Sequence, residues 1–202
     1  MMRTRFFHLG FGALLLGAGL FCLGDRESIL AVALPVLAHE LGHLLALWIL
    51  GMPVRGFRLE LRGFCIEYGG SSGAIGHVLA AAAGPLAGLA YALAAARLSS
   101  RLGSDWLRLS AGVSLLLTLF NLLPALPLDG GTILLHLSMA ILGDRRGRLL
   151  TEILGLMVGA ALLGGGFYLM VRGQGAALAL AAVWLLLAQE EGQGLVKRRE
   201  II

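Results

Sequence analysis

Charge is what this chain has least of. Of 202 residues only 14% are Asp, Glu, Lys or Arg, while 58% are hydrophobic, and the mean hydropathy is +0.86. A soluble domain of this length would expose far more charge, so the composition reads as a polytopic membrane protein. The net charge of +4 does not imply a nucleic-acid partner, because the basic residues never gather along a soluble stretch long enough to form a binding face. Cysteine is scarce too. Cys22 and Cys65 lie in or beside apolar segments and make no disulfide framework, which leaves them as packing residues. Long linkers, low-complexity tracts and clear repeats are also missing, so the chain reads as a single domain over residues 1–202. Glycine is plentiful, with 30 residues, as suits helices that pack closely in lipid.

A bilayer-crossing helix needs about 20 mainly apolar residues. Runs of that kind are Phe6–Gly24, Ser28–Gly51, Ala74–Leu98, Trp106–Leu123, Leu149–Val171 and Gly175–Gln189, with a shorter one, Gly130–Leu142, beyond the fourth. The N-terminus, "MMRTRFFHLGFGALLLGAGLFCLG", has the basic start and apolar run of a signal peptide. It lacks a convincing cleavage site and more spans follow, so it is read as an uncleaved first helix. Between the second and third runs, "VRGFRLELRGFCIEYGG" (Val54–Gly70) alternates polar and apolar residues around Gly63. That period of two predicts a β-hairpin at the membrane surface. The expected fold class is therefore an all-α polytopic membrane protein, with about six transmembrane helices and a short membrane-associated hairpin after the second. The core is expected at about 30–141, with peripheral helices at 6–24, 149–171 and 175–189.

Loop charges orient the chain. With the N-terminus in the cytosol, the inner segments carry Arg3, Arg5, Arg55, Arg58, Arg62, Arg145, Arg146, Arg148, Lys197, Arg198 and Arg199, and the outer ones Arg26, Arg97, Arg101, Arg108 and Arg172. That split, 11 against 5, favours both termini in the cytosol. The outer loop bearing Arg97, Arg101 and Arg108 runs against the rule. The "KRRE" tail reads as an anchor beside anionic headgroups.

Within the second run, "LAHELGHLL" (Leu37–Leu45) places three ionisable groups in a stretch that is otherwise oil. Such groups are costly in lipid and mark a functional site. His39-Glu40-Leu41-Gly42-His43 matches H-E-x-x-H. Residues four apart share a helix face, so both imidazoles can bind one zinc ion, and Glu40 is placed to act as base toward water. The bland alternative, two core histidines bonded to helix carbonyls, gives three buried ionisable groups no purpose. A catalytic zinc site has three protein ligands and an open position. The strongest candidate for the third is Asp129, in "NLLPALPLDGG" (Asn121–Gly131), where Pro124 and Pro127 interrupt the helix and Gly130-Gly131 permit an unusual backbone path. Non-helical backbone at membrane depth is tolerated where it is buried in protein or lines a wet cavity; the alternative is a surface turn with a solvated aspartate. His136 is seven residues past Asp129 and reads mainly as a core histidine. His8 and His77 stand near span ends, where an interfacial place suffices.

"AHELGHLLA", "AAGPLAG" (Ala82–Gly88) and "NLLPALPLDGG", in that order, resemble the site-2 proteases, the intramembrane zinc metalloproteases. The six-span pattern without a soluble domain resembles the group containing the sporulation protease that cuts a sigma-factor precursor. The resemblance covers about Leu30 to Ile141. It implies one Zn2+ per chain held by His39, His43 and Asp129, with Glu40 as catalytic base, and Asn121 matches the family's substrate-binding asparagine. Many relatives read Asn-Pro-Asp-Gly at the aspartate, whereas this chain reads Pro127-Leu128-Asp129-Gly130, a form similar to the sporulation-type group. Gly84, Pro85 and Gly88 are read as letting the third helix kink and pack against the second.

The implied activity is cleavage of a peptide bond in or near a transmembrane segment of a membrane-anchored protein, in a multi-pass protein of a prokaryotic cell membrane. The substrate helix must unwind to be cut, and the Val54–Gly70 hairpin is a candidate to hold it by strand addition. His43 lies eight residues before Gly51, so the site sits roughly 12 to 18 Å below the inner surface. No PDZ domain or nucleotide-sensing domain fits in the chain, so regulatory membrane proteins, or a first trimming of the substrate by another protease, are expected to control it. The rival readings are a catalytically silent zinc-binding membrane protein, a metal transporter, and a peptidase acting on soluble or lipidated peptides. Against the first stands Glu40, which ligation alone does not need. Against the second, the intramembrane donors collapse to one cluster, apart from Glu152.

Overall fold

The structure, a computed structural model, describes residues 7–9, 26–60, 63–69, 73–173 and 178–188. The chain divides into two compact units, Met1–Asn121 and Leu122–Ile202. Helices dominate both, and the protein is an integral membrane protein. Three helices among the described residues are long and apolar enough to cross a bilayer: Arg26–Ile49, Gly73–Leu102 and Asp144–Val171.

The first unit holds strands β1 (Phe7–Leu9), β2 (Val54–Glu60) and β3 (Gly63–Tyr68) and helices α1 (Arg26–Ile49), α2 (Gly73–Leu102) and α3 (Asp105–Asn121). Each helix packs on the other two. α1 ends as its sequence dictates. Gly51 takes φ +67°, a left-handed value that glycine reaches at no steric cost. The Gly51 N–H then donates to the Trp48 carbonyl at 3.2 Å, and the Met52 N–H to that of Leu47 at 2.9 Å. These two bonds make a Schellman cap, whose usual apolar contact is here Leu47 against Met52. Leu47, Met52 and Ala80 form a buried cluster on which Leu50, Val54, Ile66 and Tyr68 pack. The sheet is thereby seated on the ends of α1 and α2.

The sheet runs in the order β1-β2-β3. β2 pairs antiparallel with β3, Phe57 opposite Ile66 and Leu59 opposite Phe64. β1 pairs parallel with β2, Phe7 opposite Phe57. Here the expectation of a helix from Phe6 is corrected at its start: Phe7–Leu9 is a strand. An open β2 edge would present unpaired N–H and C=O groups, and the Phe7–Leu9 backbone satisfies them. The rest of that expected span, residues 10–24, lies outside the described residues, as does the "KRRE" tail.

The second unit opens with a non-helical turn, Leu122–Leu128, followed by α4 (Asp129–Leu142), α5 (Asp144–Val171) and α6 (Leu178–Ala188). The helix stops at Asn121 before Pro124 and Pro127, as proline requires, and the Leu126–Pro127 peptide is cis. A Cβ on Gly147 would fall 2.6 Å from Met139 Cα, so its absence lets α4 and α5 meet backbone to backbone. Ser138 and Thr151 are buried at that crossing. Ser138 Oγ donates within reach of the Leu135 and Gly147 carbonyls, both at 3.1 Å, and Thr151 Oγ1 donates to the Gly147 carbonyl at 3.0 Å. Apolar surface drives little association between helices in lipid, so close contact and such hydroxyl bonds do that work.

Candidate metal centre

The site is built first from α1. Pro35 is fully buried inside that helix and cannot donate to the Ala31 carbonyl. His39 follows four residues later and is 4% exposed, with Glu40 and His43 partly buried on the same helix. The two imidazoles stand edge to face, with centroids 4.9 Å apart, and their Nε2 atoms approach to 3.3 Å. His43 Nδ1 lies 2.8 Å from the Ala80 carbonyl oxygen on α2. A carbonyl only accepts, so the proton is on Nδ1 and the Nε2 lone pair is turned toward His39.

This pair fits zinc. Two nitrogens bound tetrahedrally at about 2.0–2.1 Å stand about 3.3 Å apart, the spacing observed between the two Nε2 atoms. The second ring nitrogen of a metal-binding histidine ordinarily donates to a carbonyl or similar acceptor, and His43 does so.

The small residues of "AAGPLAG" form the wall against which these rings stand. A Cβ on Gly84 would lie 2.5 Å from Cε1 and 2.7 Å from Cδ2 of His43, and closer to its Nε2. One on Gly42 would meet the Ala83 carbonyl oxygen at 2.5 Å and Ala87 Cβ at 2.6 Å. One on Gly88 would meet Thr118 Oγ1 at 2.6 Å, with His39 Nδ1 at 3.7 Å and Ser114 Oγ at 3.8 Å. The sequence reading gave Gly84 and Gly88 a packing role only. They also leave room for the two imidazoles.

α3 contributes a feature that the sequence reading missed. Ser110, Ser114 and Thr118 recur every four residues and are 0%, 0% and 3% exposed. Ser110 Oγ and Tyr91 Oη share a 2.7 Å hydrogen bond, and Ser114 Oγ donates to the Gly88 carbonyl at 2.8 Å. Their spacing on one helix face was the signal available. Asn121 is the last residue of α3 and is partly buried.

Asp129 belongs to the second unit, in the first turn of α4, where the helix N-terminus favours a carboxylate. Its Oδ2 is buried. The glycines after it are required there. A Cβ on Gly130 would fall 2.6 Å from the Leu123 carbonyl oxygen, and one on Gly131 would fall 2.5 Å from that of Ala125. The turn thus folds back over the start of α4. His136 is partly buried further along α4. His77 meets Tyr68 Oη at 3.1 Å beside the sheet, and the side chain of His8 lies outside the described residues.

Comparison with known proteins follows this geometry. Residues 99–165 match the family model described as peptidase family M50. A Synechocystis sp. protein named as a candidate zinc metalloprotease is 33% identical over 129 residues, covering 61% of this chain and 34% of that protein. The chain therefore spans about a third of that relative's length. The solved structure titled site-2 protease from Methanocaldococcus jannaschii shares the fold, with a TM-score of 0.68 at 20% identity over 95% of this chain and 93% of that one. Over residues 99–165 the chain is thus similar to peptidase family M50, and its fold is that of the solved site-2 protease.

Proposed function

We propose that this protein is an intramembrane zinc metalloprotease, a single catalytic domain that hydrolyses a peptide bond in or near a transmembrane segment of a membrane-anchored substrate. The observation that carries the reading is the convergence of His39 Nε2 and His43 Nε2 at 3.3 Å with Glu40 between them in the chain. Asp129, in the segment that resembles the site-2 protease aspartate segment, is the third donor, and two imidazoles with a carboxylate suit one Zn2+ ion. Zinc in that place would supply Lewis acidity toward water and toward the scissile carbonyl.

The chain's own residues do the remainder. Glu40 accepts a proton from the attacking water and returns it to the leaving amine nitrogen, which spares the amine from leaving as an anion. Asn121 offers an amide N–H to the substrate carbonyl as negative charge develops on it. The apolar wall of Ala83, Gly84, Ala87 and Gly88 limits water around the imidazoles. The substrate, unwound near the cut, adds as a strand to this sheet; β2 is paired on both sides, and of the two outer strands the six-residue β3 is longer than the three-residue β1 and is the one to receive it. Arginine distribution supports both termini in the cytosol of a prokaryotic cell, so product leaves to the cytosolic side. Regulatory membrane proteins, or a first trimming of the substrate, control access, and the sporulation-type subgroup is the one whose aspartate segment this chain resembles.

The test is zinc content together with cleavage of a transmembrane test substrate, for wild type and Glu40→Gln. One zinc in each, with cleavage by wild type alone, is the expected outcome. Zinc in neither would sink the reading, and zinc in both with cleavage by neither would favour a silent zinc-binding protein.

A further inference from the structure

We infer that Thr118 is a positioning residue for His39: its hydroxyl oxygen accepts the His39 Nδ1 proton and so holds Nε2 as the ligating nitrogen. The inference rests on the proposed role of His39 as a metal ligand. Thr118 is 3% exposed, and its Oγ1 has no hydrogen-bond partner among the described residues. A buried hydroxyl in that position is costly, and almost all such groups in folded proteins are satisfied. The place it faces is defined by Gly88. The point a Cβ there would occupy lies 2.6 Å from Thr118 Oγ1, 3.7 Å from His39 Nδ1 and 3.8 Å from Ser114 Oγ. Three polar atoms from α1 and α3 thus line one small space that α2 leaves open.

Chemistry sorts their roles. Ser114 commits its proton to the Gly88 carbonyl at 2.8 Å. His43 already shows the arrangement a ligand needs, with its Nδ1 proton on a carbonyl. For His39 to present Nε2 in the same way, its Nδ1 must carry the proton and donate it. Thr118 Oγ1 is the oxygen nearest the Gly88 opening whose hydrogen-bonding capacity no other described residue takes up. Removing an outer partner of a ligating histidine ordinarily weakens metal binding by about 10- to 100-fold.

The experiment uses the full chain in detergent. Zinc affinity is measured by competition with a chromophoric chelator, and the visible absorption of the cobalt(II)-substituted protein is recorded. The variants are Thr118→Val, which keeps the shape, Thr118→Ser, which keeps the hydroxyl, and Ser114→Ala. Thr118→Val is expected to bind zinc about 10- to 100-fold more weakly with altered cobalt bands, while Thr118→Ser restores both toward wild type. Wild-type affinity and bands in Thr118→Val overturn the inference. So does equal loss in Thr118→Val and Thr118→Ser, which would mark packing as the cause. Loss in Ser114→Ala with none in Thr118→Val would give the role to Ser114. If wild type itself takes up no zinc, the metal-ligand reading fails first, and this inference with it.

Discussion

Replacing Gly84 by alanine adds one methyl group where the His43 ring already stands. The new Cβ would fall 2.5 Å from Cε1 of that ring and closer still to Nε2, whereas ordinary contact begins at 3.4 Å, so the ring must retreat by more than about 0.9 Å or α2 must shift away from α1. A shift of α2 would open the close packing of Gly42 against Ala83 and Ala87, which is itself a cost. The ring is tethered at its far side by the 2.8 Å bond from Nδ1 to the Ala80 carbonyl, worth about 1 kcal/mol. Overpacking of this kind costs about 1–3 kcal/mol. Borne by the zinc-bound state, that is about tenfold in affinity for each 1.4 kcal/mol. A reacting group displaced by about 1 Å adds a loss near 100-fold in turnover. The assay is chelator competition for zinc and cleavage of a transmembrane test substrate, with Gly112→Ala as control. Gly112 lies on α3, and a Cβ there meets nothing within 4 Å. If Gly84→Ala matched Gly112→Ala in zinc affinity and turnover, the reasoning that the glycine makes room for a ligand would be wrong.

Two further outcomes are expected. Ser138→Ala removes the hydroxyl that bonds the Gly147 carbonyl and meets Thr151 at the buried α4–α5 crossing; thermal unfolding in detergent should show a loss of about 1–3 kcal/mol, and no loss would mean that glycine contact alone holds the pair. Proline scanned along β3 should abolish cleavage at the positions whose N–H groups face its free edge while leaving zinc content unchanged, because strand addition needs those donors; uniform tolerance would remove β3 as the substrate's edge.

Much of this was legible before any coordinates, and what was not has a physical cause. The H-E-x-x-H spacing announces two imidazoles on one helix face, because four residues make little more than one turn. Pro124 and Pro127 announce the end of the helix before them, and α3 ends at Asn121. Gly51 announces the end of α1 through the positive φ it alone takes easily. By contrast, Phe7–Leu9 sits at the head of an apolar run and reads as helix, because its partner lies in β2, some fifty residues away, and local pattern carries no trace of so distant a pairing. The hydroxyls of Ser110, Ser114 and Thr118 escaped for a different reason. Small polar residues barely lower the hydropathy of a run such as "LRLSAGVSLLLTLF", yet in lipid they are where helices bond to one another.

The same contrast explains how a metal centre can be built with so little charge. Two imidazoles cannot be held at 3.3 Å in an apolar bundle by charge partners without bringing more ions into lipid, each at a cost of several kcal/mol. The bundle instead holds His43 with a backbone acceptor, the Ala80 carbonyl, and makes space by omitting side chains at Gly84 and Gly88. Backbone carbonyls, hydroxyls and missing Cβ atoms are neutral, so the positioning adds no formal charge to the membrane interior. A charge-based search of the sequence therefore finds the proposed ligands and base, while the groups that aim them lie among the glycines, alanines, serines and threonines. The behaviour of Gly84→Ala and Thr118→Val, neither of which changes any charge, tests that division directly.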